Sequence, residues 1–263
     1  MSNCRFYSPE HLHIGATIKL SDNAATHATR VLRLEISDEI VLFNGDGNDY
    51  ICAITSIKTK SKSSEVLVIL KSFVNITNES PLNITLLQGI SSGDRMDYTI
   101  QKAVELGVTT IVPINTTRSV VKLSAERAEK RLAHWQGVVH AACEQSGRAF
   151  VPQVAQPCTL AQWLATAPSP FKGEGWGEGW GEGKAPPTRI LLNPIGATRL
   201  ADLPKPTGNI ELLIGAEGGL SQNEIDAALS QGFQSVFLGA RILRTETAAL
   251  TAIAAMQTIW GDF

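Results

Sequence analysis

The chain has 263 residues, 43% of them apolar and 18% charged, a balance that suits one large soluble domain or two smaller ones. Its formal net charge of −2 exerts no global pull on polyanions, so any nucleic-acid surface has to be a local patch.

Residues 1–72 read as a small β-rich unit with strands at 39–43, 50–57 and 65–70. Asn44-Gly45-Asp46-Gly47-Asn48, between the first two, is a hairpin signal, because Asn-Gly and Asp-Gly steps accept the dihedrals of tight turns. Residues 26–34 place Val31 and Leu34 beside Arg30 and Arg33 and are expected to form a short amphipathic helix at its edge. The polar stretch 74–80 reads as a linker, and residues 73–263 as the second domain.

From Pro81 onward, strands alternate with helices, the pattern of a mostly parallel sheet covered on both faces. Strands are expected at 83–88, 111–114, 188–192, 210–214 and 235–238. A helix over 96–106 carries Met96, Ile100, Ala103 and Val104 on one stripe and stops at Gly107. A longer helix, 124–146, starts at Ser124, ends before Gly147 and turns Leu132, Trp135, Val138, Val139 and Ala142 inward. Ser221-Gln222-Asn223-Glu224 is a capping box, and Gly232 closes the helix it opens. The last helix, 246–260, is so rich in alanine and apolar residues that it is either deeply buried or a subunit contact.

One segment breaks the alternation. Residues 168–187 contain Gly-Glu-Gly-Trp-Gly-Glu-Gly-Trp-Gly-Glu-Gly, which has too few branched side chains to offset its ordering entropy. It is expected to be a disordered surface insertion in which Trp176 and Trp180 are incidental. Cys4, Cys52, Cys143 and Cys158 are widely separated, with no C-x-x-C pair and no histidine at zinc-finger spacing, so neither a disulfide framework nor a bound metal is expected. The first twenty residues lack the apolar core of a signal peptide, and no run approaches the roughly 18 apolar residues that span a bilayer. A cytoplasmic protein with no membrane partner is the expectation.

The most informative features are two glycine turns: Ile214-Gly215-Ala216-Glu217-Gly218-Gly219 and Leu238-Gly239-Ala240-Arg241-Ile242-Leu243-Arg244-Thr245-Glu246-Thr247. Each follows a short apolar run and leads into a helix, the place where α/β proteins bind ligands. Two in succession point to one pocket floored by main chain. The spacing excludes the usual nucleotide motifs: Gly215-x-x-Gly218-Gly219 is not G-x-G-x-x-G, and no P-loop or G-x-S-x-G elbow is present.

Taken in order, Lys102-Ala103-Val104-Glu105-Leu106-Gly107-Val108, Thr117-Arg118-Ser119-Val120-Val121, Glu144-Gln145-Ser146-Gly147-Arg148 and the two glycine turns resemble the RsmE family. These are bacterial 16S rRNA uracil-N3 methyltransferases of the SPOUT class. The resemblance runs from Arg5-Phe6 through His27-Ala28-Thr29-Arg30-Val31-Leu32-Arg33-Leu34 to the last helix. It implies a small PUA-like β-barrel domain followed by a trefoil-knotted α/β domain. It also implies S-adenosylmethionine held bent in the knotted turns, a homodimer formed partly by the last helix, and 16S rRNA or the assembled small ribosomal subunit as partner.

On that resemblance Gly215, Glu217, Gly218, Gly219, Leu238, Gly239, Ile242 and Leu243 are the expected cofactor residues, with Leu192 and Asn193 supplying a third turn. Ile242 and Leu243 would give an apolar floor for adenine. Ala216 stands where the family usually has proline, a change that removes no donor the ligand needs. Methyl transfer to N3 leaves charge on the neighbouring carbonyl oxygens once the proton departs, so Arg241 and Arg244 are the leading catalytic candidates. Ion pairing of these arginines with Glu217 or Glu246 is the structural alternative. Glu217 is a further candidate, accepting a hydrogen bond from the target base or the cofactor's amino group, and the proton acceptor itself stays open.

Uracil N3 lies on the Watson-Crick edge, so a paired uridine must be exposed before reaction, beside a basic surface. Between Arg118 and Arg148 six basic residues (Arg118, Lys122, Arg127, Lys130, Arg131, Arg148) face three acidic ones (Glu126, Glu129, Glu144), a net of +3. An ordinary solvated helix with pairs such as Glu126 and Lys130 is the alternative for its helical part. Arg118, Gln145 and Arg148, with Arg5, Arg30 and Arg33 on the first unit, are the expected RNA contacts. His27, His134 and His140 read as structural. An RNA-binding module with an inactive methyl-donor pocket is the alternative to an enzyme.

Overall fold

The structure, a computed structural model, describes residues 4–59, 64–121, 125–166, 186–196 and 198–263. The glycine-tryptophan repeat with Trp176 and Trp180, the cap at Ser124 and the basic Lys122 lie outside the described residues. The chain separates into two compact units, Met1–Glu79 with His140–Val151 and Ser80–Val139 with Pro152–Phe263.

The first unit is a five-stranded sheet of β1 (Arg5–Tyr7), β2 (Thr17–Lys19), β3 (Glu39–Phe43), β4 (Asn48–Thr59) and β5 (Ser64–Asn75), in the order β1-β3-β4-β5-β2. β4 and β5 form a long antiparallel ladder with irregularities at Ile51/Cys52 and Ile54/Ser56, which bend the ribbon around a core of Phe6, Ile18, Leu42, Ile54, Val68 and Leu70. The connection between β3 and β4 turns on side-chain bonds: Asp46 N–H donates to Asn44 Oδ1 at 3.1 Å and Asn48 N–H to Asp46 Oδ1 at 2.9 Å.

Three expectations shift here. β5 continues to Asn75, so the boundary drawn at residue 72 falls inside a strand. The helix expected over 26–34 is instead α1 (Asp22–Thr26), capped by Ser21, followed by one π turn over His27–Val31. Val31 is 65% exposed and Arg33 adopts φ +55°, because the apolar positions at 31 and 34 span the end of the helical path instead of one of its faces. Finally, a segment distant in sequence, His140–Val151, belongs to this unit.

That segment explains two arginines. Arg5 pairs with Asp49 at 2.6 Å, donates to the Cys143 carbonyl at 2.7 Å and stacks over Phe43, with its side chain 7% exposed. Arg148 pairs with Glu79 and is equally enclosed. Neither guanidinium is presented to solvent, so the expectation that Arg5 and Arg148 contact RNA is corrected: their charge is spent on joining chain segments. Arg30, Arg33 and Gln145 are exposed.

The second unit is an all-parallel sheet in the order β11-β13-β10-β12-β6-β7-β8, with β9 (Cys158–Thr159) also pairing β7. Its strands are β6 (Ile84–Gly89), β7 (Thr110–Asn115), β8 (Gln153–Val154), β10 (Thr188–Leu192), β11 (Thr198–Arg199), β12 (Ile210–Ile214) and β13 (Gln234–Phe237). Every residue of β12 is buried, as expected of a parallel strand covered on both faces. Glu211 on that strand is tolerated because Arg189 of β10 bonds it at 2.9 Å and also donates to the Gln231 carbonyl.

Helices α2 (Asp94–Glu105), α3 (Ala125–Ser146), α4 (Leu160–Thr166), α5 (Gln222–Ser230) and α6 (Thr245–Trp260) complete the described fold. The capping box at Ser221 and Glu224 forms as expected. In α3, Trp135, Val139 and Ala142 are buried while Leu132 and Val138 are only half-buried. α6 packs on α2, burying Ala249, Ala252, Ile253 and Met256. Gln257 fastens its far end by donating to the Leu106 carbonyl at 2.8 Å and accepting from Ser80 at 2.8 Å. No helix among the described residues is long and apolar enough to cross a membrane.

Candidate functional site

β13, β10 and β12 are adjacent in the sheet and parallel, so the turns that leave them open at one edge within about 10 Å of one another. The chain reaches β13 from β12 by passing over β10, and this reversal of order leaves a crevice where ligands bind in α/β sheets. A cavity of about 700 Å³ occupies it. All the residues expected to hold a cofactor line it: Leu192 and Asn193 after β10, Gly215, Glu217, Gly218 and Gly219 after β12, and Leu238, Gly239, Ile242 and Leu243 after β13. Arg241, Arg244 and Arg118 line it too.

The turn after β12 is built by close backbone packing. A side chain at Gly89 would collide with the backbone of Gly215 and Ala216, and one at Gly218 would meet the Arg118 carbonyl at 2.8 Å. Gly219 closes the turn by donating to the Ala216 carbonyl at 2.8 Å, a bond made by main chain alone. Gly219 (φ +68°) and Gly239 (φ +91°) are different: both lie in the left-handed region, and nothing stands within 4 Å of where a side chain would begin. Their backbone borders open cavity, which is the form of a main-chain cradle.

Polar side chains fix the walls. Ser92 donates to Glu217 Oε1 through its backbone N–H and its hydroxyl, both at 2.9 Å, and Arg95 adds a third bond at 3.1 Å. Burial alone would push the Glu217 carboxyl up, but these donors outweigh it and hold it below the ordinary range. A carboxylate with so many donors is a poor proton acceptor. Glu224 is likewise held low: burial opposes, and the bonds from Ser221 and the Thr117 N–H prevail, fastening the loop after β7 to α5. Ser119 donates to the Ile90 carbonyl at 2.8 Å.

Two expectations are corrected. Ile242 lines the cavity but is 83% exposed, so it stands at the rim and not at the floor. The partner of Glu217 is Arg95 and not Arg241 or Arg244, which form no ion pair among the described residues. Arg95 and Ser92 were not singled out from the sequence, yet the signal existed: Ser92-Gly93-Asp94 repeats the strand, glycine, helix order of the two later turns. His27, His134 and His140 are not among the residues that line the cavity. His134 bonds Asp97 at 2.6 Å, and His140 stacks on Tyr7 at 3.8 Å, where burial lowers its proton affinity.

Comparison with known proteins agrees with this geometry. Residues 78–257 match the family model of an RNA methyltransferase domain, and residues 20–67 that of an RNA methyltransferase PUA domain. The ribosomal RNA small subunit methyltransferase E of Buchnera aphidicola subsp. Schizaphis graminum (strain Sg) is 33% identical over 98% of this chain and 97% of its own length. A methyltransferase from Legionella pneumophila, solved with bound SAM, superposes with a TM-score of 0.85 at 35% identity, covering 99% of each chain. The ribosomal RNA small subunit methyltransferase E of Neisseria gonorrhoeae, solved bound to S-adenosyl methionine, gives 0.82 at 43% identity over 99% of each.

Proposed function

Because the chain belongs to the ribosomal RNA small subunit methyltransferase E family, we propose that it methylates N3 of a uridine in 16S rRNA, with S-adenosylmethionine as donor. The observation that carries the reading is the convergence of the three strand-end turns on one cavity, two of whose glycines leave backbone open to a ligand. Its volume of about 700 Å³ suits a cofactor of that size.

The donor supplies an electrophilic methyl group on a sulfonium. What the chain supplies is position, exclusion of water and charge. Leu192, Leu238 and Leu243 give apolar wall, while the backbone around Gly219 and Gly239 offers hydrogen-bonding groups without side chains in the way. Arg244 stabilises the uracil oxygens as N3 gives up its proton. Glu217, already anionic and held by Ser92 and Arg95, keeps the wall in place and does not take that proton. In the cell the chain acts as a cytoplasmic homodimer on the small ribosomal subunit.

The test is methyl transfer from labelled S-adenosylmethionine to small-subunit particles, with mass spectrometry of the nucleosides. N3-methyluridine is the expected product. Donor binding without any transfer would instead favour an inert RNA-binding module.

A further inference from the structure

We propose that Arg118 and Arg241, on the wall of this cavity, form a phosphate subsite for the RNA strand, and that filling it strengthens binding of the methyl donor, an inference that rests on the donor reading above. Four arginines line the cavity, Arg95, Arg118, Arg241 and Arg244, against two carboxylates, Glu217 and Glu246. Arg95 and Glu217 are committed to each other at 3.1 Å. Three cations then face one anion, a surplus of two positive charges. Arg118, Arg241 and Arg244 are exposed and form no ion pair among the described residues; Arg118 makes one long bond, 3.4 Å to the Gly218 carbonyl.

The donor does not account for this surplus. At neutral pH it carries a sulfonium and an ammonium against one carboxylate and is a net cation. Its carboxylate can pair with one guanidinium, and the remainder repel it. The chemistry that matches several unpaired guanidinium groups is a phosphodiester, and an entering nucleotide brings one on each side of its base. The placement fits: Arg118 follows β7, and Arg241 and Arg244 follow β13, so they stand on two loops at the same edge of the parallel sheet.

A coupling follows from charge alone. Phosphates that neutralise the arginines remove the repulsion felt by a cationic donor, and by linkage the donor strengthens RNA binding by the same factor. Transfer of the methyl group removes the sulfonium charge, so S-adenosylhomocysteine is neutral overall and lacks this benefit. RNA therefore shifts the preference of the cavity from spent product toward fresh donor.

Calorimetric titration of the full chain with S-adenosylmethionine and with S-adenosylhomocysteine, each with and without a saturating short oligouridylate, tests this. Uridine nucleoside, which has the base without the phosphate, is the control. The oligouridylate is expected to tighten the donor about fivefold or more, to move the product much less, and uridine to do neither. The double variant Arg118→Gln/Arg241→Gln, with its fold checked by melting temperature, should lose the enhancement; if it melts lower, the two single variants carry the same comparison. Equal shifts for donor and product, an enhancement by uridine alone, or one that survives the substitutions would overturn the subsite. Failure of both donor and product to bind the unaltered chain would overturn the donor reading itself, and this inference with it.

Discussion

The hydroxyl of Thr245 donates to the carbonyl of Gly215 at 2.6 Å and accepts from the side-chain amide of Gln88 at 2.9 Å. Thr245 opens α6 directly after the second glycine turn, and Gly215 opens the first, so one buried hydroxyl sets the separation of the two walls of the cavity. Gln88, fully buried at the end of β6, ties the pair to the middle of the sheet.

Thr245→Val keeps the shape and removes both bonds: the Gly215 carbonyl loses this donor, and the Gln88 amide keeps its bond to the Gly89 carbonyl but has one N–H left without its acceptor in the interior. The expected loss is about 2 kcal/mol of unfolding free energy, read from urea denaturation. Thr245→Ser should retain most of it.

Gly89 and Gly219 should respond in opposite ways. Gly89→Ala drives a side chain into the backbone of Gly215 and Ala216, so protein stability falls. Gly219→Val meets no neighbour and costs some backbone strain at φ +68°, but its branched side chain enters the cavity. The latter variant is expected to remain folded and to bind S-adenosylmethionine at least about tenfold more weakly, and an unchanged dissociation constant would remove Gly219 from the cradle.

Much of this was legible in the chain because local chemistry determined it. The strands at Glu39–Phe43, Thr188–Leu192 and Ile210–Ile214 fall at their expected bounds, since short apolar runs between turn residues leave few choices. The two glycine turns announced a site for the same reason. What stayed hidden depended on tertiary pairing: Arg5 and Arg148 read as surface charge until Asp49 and Glu79 were placed beside them. Arg95 went unnoticed because its partner lies 122 residues away, and the exposure of Ile242 follows from the path of a turn that no periodicity describes.

Arg244 precedes α6 with no side-chain capping bond, so Arg244→Ala should leave the melting temperature nearly unchanged. Turnover is expected to fall by about 10²-fold or more if its guanidinium stabilises the transition state. Single-turnover rates at saturating donor measure this, and a rate within a factor of about two of the unaltered chain would take Arg244 off the catalytic list.

Arg5 and Arg33 separate structural from surface charge. Arg5→Ala strands Asp49 in a largely buried position and should cost about 3 kcal/mol. Arg33→Ala removes exposed charge, so stability should hold while affinity for RNA and its salt dependence both decrease. Denaturant melts and filter binding at two salt concentrations distinguish the cases.

Two carboxylates predict pH effects of opposite sign. Glu217 is held below its ordinary value, so its contribution to stability is complete above about pH 4.5 and is lost as the pH falls through its folded value; Glu217→Gln should flatten that acid limb. Glu144 is pushed up, chiefly by burial against the bond from the Tyr7 N–H, so its favourable contribution exists in acid and disappears as the pH rises. Glu144→Gln should therefore raise the melting temperature at pH 7 and lose that advantage below about pH 4.5.

The most direct measurement is a crystal structure of the chain grown with S-adenosylmethionine. Density for the donor between Gly219 and Gly239, against the backbone of both turns, is the predicted result. Density at another place, or turns that stay bare at saturating donor, would contradict the account.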